Sequence, residues 1–570
     1  MCGIIGFISN KSCTTKLIDG LLKLRYRGYD SCGLSVLAQK KLYTFKSLTE
    51  PQSLLPLIPN HVNHTVTAGI AHTRWATHGV VSLSNAHPQV THGKISVVCN
   101  GIIKNHKKLR DSLIQKGYTF ESETDTEVIG HYLDLLLKKH DKLEAFSELQ
   151  KTLTGRYALA CILEEDPECI YALCEDMPLF LAKTAQGIAI GSDLYAFPAH
   201  DEFCQFDSRT VYQINANGCS NKTLHYQKSD ISDTPSTLNH PTHTLSEIYE
   251  QPGLIQDIPA LWRDRCPIPP FIYGAKHILV IACGSSYHSA LLLKYWLRDS
   301  AIHCDVDIAS EFKMNPPHHT KQSAAILISQ SGETADVLIA LKQLKTNNTL
   351  ALCNVMHSSL PMRTTAKIAL HAKKEVGVAS TKAFTAQAIA LRLLYDQLHQ
   401  RPILNPDVTS ECTQQILMRS KEIRKIAYKY RSIKNILCLG KGEMLPIALE
   451  GALKIKELSY IHAEALPAGE LKHGPLALVD PEVLVITLTP APCNYMDICI
   501  HEVKSRHGKT LNIGAVCEHA DDNIIISTGS SPLSFLPLNT ALQLLAYFFA
   551  EAKGLNIDQP RNLAKSVTVE

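Results

Sequence analysis

The chain has 570 residues, which is too long for one hydrophobic core and predicts several domains. Hydrophobic residues make up 45% and charged residues 19% of the sequence, a balance that excludes a disordered protein. The net charge of +3 is spread over the whole length, so no nucleic-acid partner is expected.

The 18 cysteines form no CxxC pair and show no zinc-site spacing. They lie in apolar runs, where a free thiol packs as a small hydrophobic group, and this usage is typical of a reducing compartment. The first residues lack the basic flank and apolar core of a signal peptide. Residues 530–550 carry no charge, but their prolines and polar side chains favour a buried helix over a membrane span. We therefore expect a cytoplasmic protein without a membrane partner.

In residues 1–225, short strand patterns are grouped apart from helical ones. The strands read GIIGFI, SVVCNGII, YALACILEE, CIYALCED, GIAIGSD and TVYQI, and TEVIGHYLDLLLKKH reads as a helix. This grouping predicts a layered α+β domain. A polar stretch rich in Ser, Thr and Pro follows and predicts a linker at 226–245.

After the linker, apolar strands alternate with helices. HILVIACGSS, AAILISQSGET and KNILCLGKGE each run from a strand into a small polar turn and then a helix. Alternation of this kind predicts doubly wound parallel sheets, and its recurrence predicts two copies of one α/β domain. We place the copies at 246–408 and 409–555, and a C-terminal tail at 556–570.

Cys2 directly follows the initiator Met, whose removal would leave a free α-amine and a thiol on one residue. A neutral amine of this kind can act as the base for its own nucleophile. The alternative is a cysteine that merely begins a buried strand. Polar residues further along the chain decide between the two.

Those residues match what attack on an amide requires. Asn100 and the Gly101 N–H can stabilise the oxyanion. An amino-acid substrate needs a cation for its carboxylate and an anion for its ammonium group, and Arg74 and Asp125 suit these roles.

The motifs CGIIG, YRGYDS, HTRWATHG, NGIIKNH and SETDTEV resemble, in order and spacing, the glutaminase domain of the N-terminal-nucleophile glutamine amidotransferases, across about residues 2–225. The resemblance implies an αββα fold of the N-terminal-nucleophile hydrolases with Cys2 as nucleophile. It also implies that His78 joins the glutamine-binding residues and that Trp75 gates ammonia. The family often has His where Cys99 stands.

Three small-residue turns of the second half suit a phosphate. ISQSGETAD places hydroxyls and free N–H groups at a strand-to-helix turn, CGSS is a second such turn, and GVASTKAF is a third small-residue loop. Ordinary helix capping is the alternative. No nucleotide P-loop motif is present in the sequence.

One helix carries a charged stripe. Glu450, Lys454 and Glu457 are spaced to share a face, which on pattern alone is as compatible with a solvated face as with a site. The helix leads into a loop bounded by Gly and Pro that contains His473, and such loops often carry catalytic groups.

SQSGET, GVASTKAFT, the 448–478 segment and the terminal DQPRNLAKSVTVE are similar to the two sugar isomerase (SIS) domains of the glucosamine-6-phosphate synthase family. The resemblance implies transfer of nitrogen from glutamine to fructose 6-phosphate and a place in hexosamine biosynthesis. His473 would open the sugar ring, Lys565 would form a Schiff base, Glu457 would move a proton and Lys454 would offset charge. The sugar phosphate would be bound by Ser286, Ser329, Gln330, Ser331, Thr334, Val378 and Ala564.

The resemblance further implies a homodimer formed through the SIS domains and a reaction without metal or organic cofactor. It predicts that the tail is an ordered arm, with Arg561 anchored near the glutaminase boundary, and that deleting 565–570 abolishes synthesis but not glutamine hydrolysis. The family often has CGTS where this chain has CGSS, and a longer linker.

Other functions remain open at this point. A different amidotransferase, such as an amidophosphoribosyltransferase or an asparagine synthetase, would need loops that the sequence lacks. A sugar-phosphate-binding regulator would be expected to have lost Glu457, His473 or Lys565. The sequence does not distinguish this reaction from that of a related enzyme acting on another ketose phosphate or a glycated amine.

Overall fold

The computed structural model describes residues 2–229, 239–265, 268–402, 404–529 and 531–568. The chain divides into two compact units. The N-terminal unit contains residues 2–229 together with 566–568, and the C-terminal unit contains the described residues of 239–565.

The N-terminal unit consists of two antiparallel sheets and a few helices. Its strands are β1 (Gly3–Ile8), β2 (Ser31–Ala38), β3 (Lys41–Ser47), β4 (Val66–Arg74), β5 (Gln89–Thr91), β6 (Ile95–Ile103), β7 (Gly155–Leu163), β8 (Ile170–Glu175), β9 (Phe180–Thr184), β10 (Gly187–Gly191), β11 (Glu202–Gln205), β12 (Tyr212–Asn215), β13 (Gly218–Cys219) and β14 (Gln227–Lys228). Its helices are α1 (Thr14–Leu24), α2 (Asn60–Asn63), α3 (His106–Gln115), α4 (Glu127–Leu137) and α5 (Lys142–Thr152), with 3₁₀ turns at Arg25–Arg27, Pro51–Leu57 and Leu194–Ala196.

The two sheets are stacked between helices. One sheet has the order β14-β11-β9-β10-β1-β4-β2-β3 and the other β13-β12-β8-β7-β6-β5. Along β1, Ile5 and Phe7 pack in the core under α1, whereas Ile4 and Ile8 pack in the core between the sheets. Because successive strand residues point to opposite faces, this alternation places one helix layer outside each sheet. The predicted αββα arrangement is confirmed.

The C-terminal unit contains two parallel sheets. The first uses β15 (His277–Ala282), β16 (His303–Ile308), β17 (Ala324–Ser329), β18 (Thr349–Cys353) and β19 (Ala366–Ala369); the second uses β20 (Asn435–Gly440), β21 (His462–Pro467), β22 (Val483–Thr489), β23 (Lys509–Gly514) and β24 (Asp522–Ile525). The helices are α6 (His243–Tyr249), α7 (Gln251–Arg265), α8 (Pro270–Tyr273), α9 (Gly284–Trp296), α10 (Ala309–Phe312), α11 (Ala335–Gln343), α12 (Ser359–Arg363), α13 (Lys382–Leu398), α14 (Asp407–Met418), α15 (Ser420–Lys429), α16 (Met444–Ser459), α17 (Asn494–Lys504) and α18 (Phe535–Ala552), with 3₁₀ turns at Ala468–His473 and Pro475–Leu478.

The two sheets have equivalent strand orders, β16-β15-β17-β18-β19 and β21-β20-β22-β23-β24, and every pair in them is parallel. The prediction of two copies of one α/β domain is therefore confirmed. One large apolar core, which includes side chains of both sheets and of the helices between them, joins the copies.

The uncharged segment near the C-terminus forms α18, whose residues from Phe535 to Ala550 are all buried. It packs against α14, α15 and α16, which explains its lack of charge. None of the helices in the described part of the chain is long and apolar enough to cross a membrane.

The predicted linker is shorter than 226–245. Strand β14 pairs with β11 inside these bounds, and α6 begins at His243. Both ends of the predicted linker therefore belong to folded elements, while residues 230–238 lie outside the described residues. Sequence composition alone does not reveal a two-residue edge strand, because its polar residues resemble those of a loop.

Candidate active sites

The first candidate site surrounds Cys2, immediately before β1. Pairing of Gly3 with Thr73 brings Cys2 beside the end of β4. The Trp75 N–H donates to the Cys2 Sγ at 3.3 Å, and the Cys2 thiol lies 3.5 Å from the Trp75 carbonyl oxygen. Burial raises the pKa of the Cys2 thiol, while the Trp75 N–H and the Arg74 guanidinium act in the opposite direction. The thiol is therefore held in place by backbone.

Arg74 organises the loop that follows β4. Its guanidinium donates to the carbonyl oxygens of His78, of Gly79 at 3.2 Å and of Val80 at 3.4 Å. The residue is only 3% exposed, so this cation is fixed inside the unit. A buried cation beside the predicted nucleophile is suited to holding a substrate carboxylate.

Asn100 is positioned by a histidine that the sequence analysis did not single out. His72 Nε2 lies 3.1 Å from the Cys99 carbonyl oxygen and 3.2 Å from Asn100 Oδ1. Burial lowers the pKa of His72 to about 3, so the imidazole is neutral and its Nε2–H donates to both oxygens. This contact directs the Asn100 side-chain N–H groups away from His72. His72 is the first residue of the HTRWATHG motif, so that motif could have pointed to it.

The backbone conformation and the close packing at position 101 require glycine. Its φ of +100° lies in the left-handed region, and an added Cβ would approach the Arg156 carbonyl oxygen to 2.1 Å. Any other residue would be strained and would collide with β7, since the clash is with backbone. Asp125 is fixed nearby, with its Oδ2 accepting a hydrogen bond from the Ile103 N–H at 2.8 Å.

The remaining predicted residues of this site belong to the same loop. Trp75 is half-buried, with its ring edge-on to Tyr29 at 5.4 Å between centroids. His78 packs edge-on against His106 at 5.1 Å. The charges of both Arg74 and Asp125 influence the pKa of Cys2, so the structure brings the predicted nucleophile, cation and anion together.

The second candidate site contains the charged stripe of α16. Glu450 and Lys454 are completely buried, which excludes the solvated-face interpretation. Lys454 Nζ lies 2.6 Å from Glu457 Oε2 and 3.4 Å from Glu450 Oε1, and it donates to Ser285 Oγ at 3.1 Å. Burial alone would lower the pKa of Lys454, but the Glu450 and Glu457 carboxylates raise it above its usual range. The ammonium group therefore stays charged inside the protein.

Glu450 has a second partner, since His288 Nδ1 lies 2.9 Å from its Oε2. Burial acts to raise the pKa of Glu450, yet Lys454 and His288 hold it below its usual value. Glu457 is the most accessible member of the stripe, with a side chain 21% exposed. It is thus the carboxylate of this group that a ligand can reach most readily.

The predicted phosphate turns carry hydroxyl groups that bind their own backbone. Ser329 Oγ accepts from the Gly332 N–H at 2.9 Å and lies 2.9 Å from Thr334 Oγ1. Ser331 Oγ accepts from the Glu333 N–H at 3.2 Å.

Ser286 and Gln330 lie at the carboxyl edge of the same sheet. Ser286 Oγ accepts a hydrogen bond from Gln387 Nε2 at 2.9 Å. The Gln330 carbonyl oxygen accepts one from the Asn354 N–H at 3.2 Å. The turns are therefore preformed.

The C-terminal tail is ordered up to and beyond Lys565. The Asp558 carboxylate accepts from the N–H groups of His243 at 2.9 Å and Thr244 at 2.8 Å, at the start of α6. The Asp558 carbonyl accepts from the Val378 N–H at 3.0 Å. Half-buried Ala564 follows, and then Lys565, whose Nζ is paired with Glu375 Oε2. Asp558 thus fixes the arm that carries Lys565.

The Lys565–Glu375 ion pair is almost inaccessible, with side chains 3% and 0% exposed. Glu375 Oε1 also accepts from the N–H groups of Thr381 and Ala383, each at 3.0 Å. Burial acts to raise the pKa of Glu375, but the Lys565 ammonium and these N–H groups lower it below its usual value. Glu375 lies two residues before the quoted GVASTKAF motif, and the sequence analysis missed it.

A second carboxyl group, Glu247, lies next to this pair. Its Oε1 accepts from the N–H groups of Val376 and Gly377, and its Oε2 is buried without a hydrogen-bond partner among the described residues. Burial and the Glu375 charge raise the pKa of Glu247 to about 8. At neutral pH this carboxyl group is therefore mainly protonated.

Two further predicted residues, Arg561 and His473, lie in the C-terminal unit. The Arg561 N–H donates to the Tyr460 hydroxyl at 2.7 Å, and its guanidinium lies over the Tyr460 ring at 4.2 Å. The anchoring of Arg561 near the glutaminase boundary stays a prediction. His473 ends a 3₁₀ turn, is exposed, and makes no hydrogen bond or ion pair to the residues that the structure describes.

Neither site contains three His, Cys, Asp or Glu side chains placed to hold a metal ion, within the ranges that the structure describes. The first site contains a thiol with a neighbouring amide, and the second contains a lysine amine, an ammonium group and carboxyl groups.

Comparisons with known proteins agree with the two-unit division. The SIS domain model matches residues 271–396 and 429–546, and the glutamine amidotransferase domain model matches residues 72–199. The chain is 37% identical to the glutamine--fructose-6-phosphate aminotransferase [isomerizing] of Shewanella oneidensis over 610 residues, and 38% identical to that of Shigella flexneri over 611 residues, with 100% of each chain covered.

Among solved structures, the C-terminal domain of glucosamine-fructose-6-phosphate aminotransferase from Francisella tularensis is 32% identical, with a TM-score of 0.53, and the match covers 57% of this chain and 100% of that one. Similarity to the curated enzymes extends over both units and both candidate sites. The chain therefore belongs to the family of isomerizing glutamine--fructose-6-phosphate aminotransferases.

Proposed function

We propose that this protein transfers the amide nitrogen of glutamine to fructose 6-phosphate, isomerises the product to glucosamine 6-phosphate and releases glutamate. The observation that carries the proposal is the presence of both candidate sites in one chain. That chain aligns over its full length with the curated aminotransferases.

The N-terminal unit supplies ammonia. After removal of Met1, the α-amine of Cys2 takes the thiol proton and the sulfur attacks the glutamine carboxamide. Asn100 and the Gly101 N–H stabilise the oxyanion, ammonia leaves, and water hydrolyses the thioester to glutamate. Arg74, His78 and Asp125 hold the amino-acid end of glutamine, and Trp75 controls the release of ammonia.

The C-terminal unit binds the ketose phosphate at the carboxyl edge of its first sheet. The phosphate and hydroxyl groups are held by Ser286, Ser329, Gln330, Ser331 and Thr334, and the sugar lies against the backbone of Val378 and Ala564. Support comes from the preformed hydroxyl-rich turn at the start of α11, since such turns favour anions.

Lys565 then reacts with the sugar. His473 opens the ring, and Glu375 is placed to take the proton that the Lys565 ammonium must lose before its amine attacks C2. Water leaves as the Schiff base forms, and ammonia displaces the lysine to give the C2 imine. Glu457 transfers a proton from C1 to C2, and Lys454 stabilises the negative charge that develops on the way.

We also propose a homodimer formed through the SIS domains and a cytoplasmic location. All seventeen cysteines of the described part of the chain are free thiols, which is typical of a reducing compartment.

The test is to incubate the purified protein with glutamine and fructose 6-phosphate and to assay glutamate and glucosamine 6-phosphate separately. We expect the two products to form together, and unphosphorylated fructose to give no amino sugar. Glutamate without glucosamine 6-phosphate would reject the acceptor. Faster amination of another ketose phosphate would reassign the substrate.

A further inference from the structure

Three potential metal ligands meet at the amino edge of the first parallel sheet. His277 is the first residue of β15, and His303 is the first residue of the edge strand β16, directly opposite it. Asp305 follows two residues later on β16 and therefore points to the same face as His303. This is the one group of His, Cys, Asp or Glu in the described part of the chain whose ligand atoms all lie within 4.8 Å of one another.

Two of the three separations within the cluster match a metal centre. Asp305 Oδ2 lies 3.1 Å from His277 Nε2 and 3.3 Å from His303 Nε2. Zinc binds nitrogen and oxygen ligands at about 2.0–2.2 Å, so two ligands of a tetrahedral site are about 3.3–3.5 Å apart. Both separations are within a few tenths of an ångström of that value, and the ligand atoms of His277 and His303 lie within 4.8 Å of each other.

A second contact orients one of the imidazoles. His277 Nδ1 lies 3.0 Å from Ser323 Oγ, which also accepts a hydrogen bond from the Thr320 N–H at 3.0 Å. With Nδ1 bonded to the hydroxyl, Nε2 is directed at Asp305. Metal-binding histidines usually have such an outer partner on the other ring nitrogen.

The cluster is accessible to an ion from solvent. The side chain of His303 is 71% exposed and that of Asp305 is 31% exposed, whereas that of His277 is 19% exposed. One ligand is thus anchored in the sheet and the others face outward. An ion bound on this exposed side would have a fourth coordination position available for water.

We propose that His277, His303 and Asp305 bind one divalent transition metal ion of the zinc class. Two imidazoles and one carboxylate suit such an ion better than magnesium or calcium, which prefer oxygen ligands. The ion joins the edge strand β16 to β15, so its role is to stabilise the first sheet. This proposal differs from the expectation, drawn from the sequence, that the protein contains no metal.

The metal site is separate from the proposed sugar site. The hydroxyl-rich turns follow the carboxyl ends of β15 and β17, whereas the cluster lies at the amino end of β15. Six strand residues separate these edges, which corresponds to roughly 20 Å. Metal binding can therefore be measured without relying on the proposed reaction.

The second sheet provides an internal control. Its corresponding register pairs Asn435 with His462 and Leu437 with Glu464. Asparagine thus replaces the anchored histidine, and no three-ligand group is found at this edge in the described residues. His462→Ala therefore removes an exposed histidine from the equivalent strand position without touching the proposed site.

The experiment titrates the full-length, metal-stripped protein with Co²⁺, followed by competition with Zn²⁺. We expect one equivalent of Co²⁺, visible absorption bands of a nitrogen- and oxygen-coordinated ion, and no thiolate charge-transfer band. Zn²⁺ should displace the Co²⁺ and raise the melting temperature. The His303→Ala and Asp305→Asn variants should lose both effects, and His462→Ala should keep them.

Ser323→Ala should weaken the affinity roughly tenfold, as is typical for loss of an outer-sphere partner. Circular dichroism spectra equal to that of the unaltered protein establish that each variant is folded. No metal uptake, a thiolate band, or equal uptake by the His303→Ala and His462→Ala variants would overturn the proposal.

Discussion

The two candidate sites fix their charged groups in different ways. In the N-terminal unit, Arg74 and Asp125 are held by backbone carbonyl and N–H groups. In the C-terminal unit, Lys454 and Lys565 are held mainly by buried carboxylates. Backbone groups that hold a charged side chain remain in place when a neighbouring side chain is substituted. In a buried ion pair, substitution of one residue leaves the charge of the other without a partner.

This difference determines which variants are informative. Removing one member of a buried ion pair typically costs about 3–5 kcal/mol, because an uncompensated charge remains. Truncation of Lys565 or Lys454 would therefore mix lost stability with lost chemistry. Substitutions that conserve shape or charge separate the two effects, and the expected outcomes below are ordered from the largest effect to the smallest.

Cys2→Ala should reduce glutamine hydrolysis by at least about 10⁴-fold, since it removes the proposed nucleophile. Fructose 6-phosphate should still form a borohydride-reducible adduct with the variant, because Lys565 belongs to the other unit. Glutamate release measures the first effect and mass spectrometry the second. Cys219→Ala, at a half-buried cysteine of the same unit, serves as control. Hydrolysis retained in Cys2→Ala would reject the nucleophile.

Glu457→Gln keeps the shape of the side chain but removes the proposed proton-transfer group. We expect glucosamine 6-phosphate formation to fall by about 10²–10⁴-fold, the usual contribution of a general acid–base residue, with glutamine hydrolysis retained. The matched control is Glu464→Gln, at an exposed carboxylate on β21. An equal loss in both variants would show that Glu457 acts only through stability.

Asn100→Ala should lower the kcat of glutamine hydrolysis by about 10²–10³-fold with little change in KM, because the proposed contact is to the oxyanion. Steady-state kinetics of glutamate release provide the measurement. Asn105→Ala, a half-buried neighbour that donates to the Thr152 carbonyl, should leave kcat unchanged. A change in KM alone would assign Asn100 to substrate binding.

The smallest effect concerns Glu247, whose pKa is raised to about 8. Between the usual carboxyl range and that pH, the folded protein holds a proton that the unfolded chain has lost. Stability therefore falls as the pH rises through this window, by up to about 1.4 kcal/mol per unit. Glu247→Gln should flatten the decline of the melting temperature between pH 5.5 and 8.5. Parallel profiles would contradict the raised pKa.

Much of the fold was predictable because its signals are local. The alternation of β1 and the apolar strands β15 and β20 identify both sheet types directly. The two-residue strand β14 was missed, since so short an element has no period.

Candidate site residues could be named from the sequence where motifs carry them, as for Cys2 and Lys565, and their roles stay predictions. Whether the α16 stripe is buried could not be read from spacing, because a solvated face has the same period. Glu375 and Glu247 were missed since their roles depend on contacts between segments far apart in sequence. A partner of this kind becomes visible only once the chain is folded.

The predicted tail deletion is a less direct test than a substitution. Residues 566–568 group with the N-terminal unit, where the Thr568 carbonyl lies 3.5 Å from Arg156 Nη1. Deleting 565–570 would therefore alter both units. A substitution at Lys565 alone changes only the C-terminal unit.

The most direct measurement is a parallel assay of glutamate and glucosamine 6-phosphate in the Lys565→Arg variant. Arginine keeps a cation beside Glu375 but cannot form the Schiff base. The division of labour between the units predicts that glutamate is still released while glucosamine 6-phosphate falls below detection. Amino-sugar synthesis at an appreciable fraction of the unsubstituted rate would contradict it.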